Sequence, residues 1–62
     1  MNVKEAKKVL KPGARVFWND PDEGLCSREI EVKRVNWTGT GTVLLEDDLG
    51  EVEAFTNELQ IV

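Results

Sequence analysis

The side chains best placed to do chemistry in this sequence are carboxylates: Asp20, Asp22 and Glu23 in one short stretch, Asp47 and Asp48 in another. A hard cation needs several oxygens converging on it. The first group fails the spacing of a calcium loop. With Gly24 as the central glycine, the first and third ligand positions fall on Asn19 and Pro21. Both groups read as acidic, solvated turns, so no metal is expected. Cys26 is the lone thiol, and a thiol becomes a nucleophile only beside an activating base or cation. The chain has no histidine, and Arg28, two residues on, can stabilise a thiolate without removing its proton. Cys26 is therefore expected as a small core residue beneath the loop that carries it. Thr38-Gly39-Thr40-Gly41 lacks the following lysine and helix of a phosphate-cradling loop. Acid–base catalysis by two carboxylates needs a sheltered pocket, which a chain of 62 residues has little room to build. The sequence points away from an enzyme and implies no cofactor.

Length and composition bound the rest. Sixty-two residues make one domain, residues 1–62, with a thin core. Domains of this size bury only about 60% of the surface exposed by the unfolded chain. One cysteine allows no intrachain disulfide, and with no histidine a structural zinc site has too few ligands. So small a chain without disulfides suits a reducing compartment. No apolar run approaches the roughly 20 residues of a membrane span. The opening Met1-Asn2-Val3-Lys4-Glu5 lacks the apolar stretch of a signal peptide. The expectation is a cytoplasmic domain without a membrane segment.

The net charge of −4 is unevenly spread. Residues 1–15 set Lys4, Lys7, Lys8, Lys11 and Arg15 against Glu5, a balance of +4. Residues 16–62 set Arg28, Lys33 and Arg34 against eleven carboxylates, a balance of −8. Such an arm either complements its own domain or presents an interaction surface.

The elements that must position these residues follow from periodicity. Asn2 and Glu5 resemble a capping box, and Val3, Ala6, Val9 and Leu10 share one helical face with the lysines on the other. Pro12-Gly13 ends the pattern, which predicts a helix over 3–10. Too short to persist alone, it must dock. From Ala14 the period becomes two, predicting strands at about 14–18, 28–37, 43–46, 51–55 and 59–62. The 19–24 segment reads as an exposed loop, with Leu25 and Cys26 tucked back onto the body. Between Val32 and Val35 the apolar set slips by three, predicting a β-bulge near Lys33–Arg34 that bends the second strand sharply. Thr38–Gly41 and Asp47–Gly50 read as turns, and Thr56–Glu58 as a 3₁₀ turn. The predicted architecture is mainly β, a five-stranded, partly open barrel over about 14–62 with a short N-terminal helix.

This strand order resembles that of SH3-like and Tudor-like barrels. Trp18 at the end of the first strand resembles a tryptophan common in Tudor-type domains, and Val43–Gly50 resembles their third strand and hairpin. The stretch Val16-Phe17-Trp18-Asn19-Asp20-Pro21-Asp22-Glu23-Gly24-Leu25-Cys26-Ser27, with Glu51–Phe55 and Glu58-Leu59 downstream, is similar to a group of short uncharacterised bacterial proteins. That group implies no activity. In Tudor-like barrels, aromatics at strand ends box methylated ammonium groups by cation–π attraction. Here the hairpin positions that would complete such a cage read Asp47, Asp48 and Leu49, and tyrosine is absent.

These observations lead to a non-catalytic protein-interaction or accessory module. Its expected surface is a cleft between the 19–27 loop and the 46–50 hairpin, formed by Phe17, Trp18, Asp20, Asp22, Trp37, Asp47 and Asp48. If Trp18 points inward, alternation puts Phe17 outward, where a large ring needs a neighbour. The alternative is a nucleic-acid module using Lys4, Lys7, Lys8 and Lys11 on phosphates, against which stand Glu29, Glu31, Glu51 and Glu53 on the strands. The chain is expected as a monomer, or a weak homo-oligomer through its helix or an edge strand.

Overall fold

The computed structural model describes residues 1–22 and 24–62. Helix α1 spans Val3–Val9, and the Asn2 side chain caps it by accepting the Glu5 N–H at 2.8 Å. Leu10 leaves the helix in an extended conformation while its N–H still bonds the Ala6 carbonyl. Gly13 then takes a positive φ of 94°, where a residue with a Cβ would be strained. Ala6 and Leu10 are buried in the common core, Val9 is half-buried against it, and Val3 is half-buried. The predicted docking of α1 through its apolar face is found. The Met1 ammonium adds a second tether, donating to the carbonyls of Thr56 (3.0 Å) and Leu59 (2.8 Å).

Six strands follow: β1 Arg15–Trp18, β2 Arg28–Glu31, β3 Arg34–Gly39, β4 Thr42–Asp47, β5 Gly50–Phe55 and β6 Leu59–Ile61. They form two antiparallel three-stranded sheets, in the orders β2-β1-β6 and β3-β4-β5. A 3₁₀ turn at Thr56–Glu58 links β5 to β6.

Two predictions are corrected here. The single bent strand at 28–37 is two strands in different sheets, giving six rather than five. The cause lies in adjacent peptide groups. Val32 exchanges backbone bonds with the segment leading into β1, donating to Ala14 and accepting from Gly13, whereas the Lys33 N–H already donates to Glu46 in the second sheet. The chain turns a corner between sheets instead of bulging within one. The three-residue slip keeps Val32 buried and Val35 packed on the core across that corner. Nor do the sheets close into a barrel. Strands β5 and β6 are both sheet edges, joined by the 3₁₀ turn and by no ladder.

The two inner faces and α1 enclose one core: Ala6, Leu10, Val16, Ile30, Val32, Val43, Leu45, Val52, Ala54 and Leu59. Residues between these along the strands face outward, following the period of two.

Candidate interaction surface

The loop 19–27 is built around Asp20. Its carboxylate accepts the N–H groups of Asp22 (3.0 Å) and Cys26 (2.9 Å), and its own N–H donates to Ser27 Oγ at 2.8 Å. The backbone adds Gly24 N–H to Asp20 O and Ser27 N–H to Gly24 O. Gly24 adopts φ 74°, which lets the loop reverse. The Asp22 amide first, and the Cys26 amide after it, hold the Asp20 carboxyl below its ordinary pKa by bonding the charged form.

A loop so constrained does not return its apolar residues to the core. Leu25 is 79% exposed and Cys26 is exposed, correcting both expectations for these residues. The Asp20 and Ser27 side chains bond the loop's own backbone, and Leu25 stays in water. Glu23, the third carboxylate of the predicted acidic cluster, lies outside the described residues. Asp22 is exposed at the loop tip.

At the root of this loop Arg28 meets Asp47, and the Arg28 Nη1–Asp47 Oδ2 ion pair joins the two sheets. The side chains are 26% and 8% exposed, so the pair is largely shielded from water. Asp47 Oδ1 also accepts the Leu49 N–H at 2.9 Å, which shapes the hairpin turn. The Arg28 guanidinium is the main reason that the Asp47 carboxyl titrates below its ordinary value. Leu49, at the hairpin tip, is 80% exposed. The loop and the hairpin, each carrying an exposed leucine, are thus pinned together at their bases. Asp48 is exposed beside Leu49 and lies close enough to Lys33 to favour its charged form.

The aromatics divide. Trp18 is half-buried against the core, and its Nε1–H donates to Glu58 Oε1 at 3.1 Å. It aligns with Arg28 in the first sheet, so it belongs to the same end as the Arg28–Asp47 pair. Phe17 points to the opposite face of β1, between Glu29 and Gln60 in register. Trp37 aligns with Val43, four residues along β4 from Asp47, and Lys7 Nζ stands 5.5 Å from its ring centroid. Phe17 and Trp37 are therefore not brought together with Trp18, Asp20 and Asp47. Phe55 is 57% exposed at the far end of β5.

Lys4, Lys7, Lys8 and Lys11 are all exposed, and none forms an ion pair among the described residues. Of the basic arm, only Arg15 pairs with carboxylates of the body among the described residues. Of the strand carboxylates, Glu29 and Glu31 are paired with Arg15, and Glu31 also with Lys33. The Lys33 ammonium, aided by Arg15, lowers the Glu31 pKa, and Glu31 raises that of Lys33.

Sequence reasoning gave Leu25, Arg28, Leu49, Ser27 and Glu58 no place in the interaction surface. Leu49 carried a signal, an apolar residue at the tip of the Asp-Asp-Leu-Gly turn. Arg28 carried none, because a strand-initial arginine ordinarily faces solvent. Among the described residues there is no pocket and no gathering of metal-binding side chains, so the predicted cleft is an open surface. No helix among them is long and apolar enough to cross a membrane. In comparisons with known proteins, no family model, curated protein or solved structure matches the chain.

Proposed function

We propose that this chain is a non-catalytic protein-interaction module of SH3-like design that binds short segments mixing apolar and basic residues. The supporting observation is a preorganised loop that holds Leu25 79% exposed beside a hairpin exposing Leu49 to 80%. Ordering a loop before binding lowers the entropic cost of association. Exposed leucines offer apolar area, and Asp22 and Asp48 beside them favour cationic neighbours on the partner. The SH3-like reading rests on the strand order, the corner at Val32–Lys33 and the 3₁₀ turn before β6. An open surface without a pocket suits an extended segment better than a small molecule. The reading places the module in the cytoplasm of a bacterial cell.

A peptide-display selection on the immobilised chain tests this directly. Enrichment of peptides combining Lys or Arg with Leu, Val or Phe is expected, and it should vanish on a Leu25→Ser/Leu49→Ser variant of unchanged circular dichroism. No enrichment, or the same enrichment on both proteins, would reject the proposal.

A further inference from the structure

The outer face of the second sheet is acidic, with Glu51, Glu53 and Phe55 exposed and Leu44 and Glu46 half-buried. Val43, Leu45, Val52 and Ala54 point inward, so Leu44, Glu46, Glu51, Glu53 and Phe55 share the outward side of β4 and β5. Glu46 and Glu51 are directly opposed in register, as are Leu44 and Glu53. Like charges directly opposite across a ladder repel. None of the three carboxylates has an ion-pair partner within 4.0 Å among the described residues, Arg34 beside Glu46 included. The exposed face of α1 has the opposite defect. Lys4 and Lys8 lie one turn apart, where like charges also repel, and Lys7 on the helix and Lys11 just beyond it outnumber the exposed Glu5.

We infer that the lysine face of α1 docks on the outer face of β4–β5 of a second copy of this chain. Each surface carries the charge that the other lacks, and Lys4, Lys8, Glu51 and Glu53 form no ion pair among the described residues. Leu44 and Phe55 add apolar contact for the lysine stems, which bury their methylenes while their ammonium groups reach carboxylates. The two surfaces differ, so the contact is heterologous and assembles copies head to tail rather than as a symmetric pair. Resting on exposed charge, it must be weak and must dissolve as salt shortens the range of attraction to about 3 Å at 1 M.

Charge reversal separates this contact from other uses of either face. Lys4→Glu/Lys8→Glu makes both faces acidic, and Glu51→Lys/Glu53→Lys makes both basic. Sedimentation velocity at low salt should show concentration-dependent association of the parent and none for either variant alone. A mixture of the two variants should regain association comparable to that of the parent, and added salt should return all samples to monomers. A parent that stays monomeric at low salt would overturn the inference. So would association of the parent that survives both substitutions. Should a reversed variant lose its native circular dichroism, Lys4→Gln/Lys8→Gln and Glu51→Gln/Glu53→Gln replace the pair, each expected to abolish parent-like association. A parent that stays monomeric but shifts single-stranded DNA in a Lys4- and Lys8-dependent manner would assign the lysine face to nucleic acid instead.

Discussion

Arg28 and Asp47 meet across the seam between the two sheets, each at the charged end of a row that is otherwise core. Arg28 continues the inward side of β2 set by Ile30, and Asp47 continues that of β4 set by Val43 and Leu45. Where the sheets diverge and hydrocarbon runs out, an ion pair takes over. The same contact fixes the 19–27 loop relative to the 47–50 hairpin, so the candidate surface and the stability of the fold share one hinge point.

Removing the Asp47 side chain should therefore do two kinds of damage. Asp47→Ala strands a largely shielded guanidinium and leaves the Leu49 N–H without its acceptor. A loss of about 1–3 kcal/mol is expected, the range for a buried polar group deprived of its partner. Asp47→Asn retains an acceptor for Leu49 and should cost measurably less. Urea unfolding of both variants decides the point. Equal losses would mean that the turn bond contributes nothing.

Acid should weaken the fold in a defined direction. Asp47, Asp20 and Glu31 all titrate below their ordinary values in the folded chain. Unfolded, they return to about 4. The unfolded chain thus binds more protons as pH falls through that region, and stability drops with it. The contribution is complete above about pH 5 and is lost progressively below the ordinary carboxylate range. Thermal melting from pH 6 to 2.5 should show this slope, shallower in Asp47→Asn. An unchanged slope in the variant would assign the acid sensitivity to carboxylates other than Asp47.

In the loop, stability and binding should come apart. Leu25→Ser removes an exposed side chain and should leave the melting temperature unaltered while abolishing peptide capture. Gly24→Ala has the opposite character. A Cβ there meets only Ser27 Oγ, at an ordinary 3.6 Å, so the penalty is in the backbone φ of 74°. That conformation costs a residue with a side chain roughly 1–2 kcal/mol. Melting curves of the two variants should therefore separate, with Gly24→Ala alone shifted downward.

Much of this architecture was legible in the sequence because it rests on local periodicity. The Asn2 cap, the Pro12-Gly13 stop, the alternation in β1, β4 and β5, and the turn at Thr56–Glu58 each announce themselves within a few residues. The Val32–Val35 slip marked the corner, but only the hydrogen bonds reveal that Val32 and Lys33 serve different sheets. The site was less legible for the same reason. Exposure of Leu25 depends on Asp20 bonding two amides further along the loop, and Arg28–Asp47 depends on how two sheets face each other. Neither distance is encoded in spacing along the chain. The charge imbalance was visible, yet whether the lysines find carboxylates at home is a question of placement.

The helix gives the last prediction, because it carries structure on one side and charge on the other. Ala6 is fully buried and Leu10 is 5% exposed, so α1 closes one flank of the core. Leu10→Ala should cost about 2–5 kcal/mol, the range for leucine truncation in a packed interior. A stable small domain holds only about 5–15 kcal/mol in total, so deleting residues 1–11 should leave no cooperative melting transition. Lys7→Glu removes a cation from the Trp37 face but touches no buried atom, and should shift the melting temperature little while altering tryptophan fluorescence. A truncated chain that melts at the parental temperature would show that Ala6 and Leu10 merely rest on a core complete without them. In that event the lysines would ride on an independent arm, and their docking on a second copy could no longer rely on a fixed helix face.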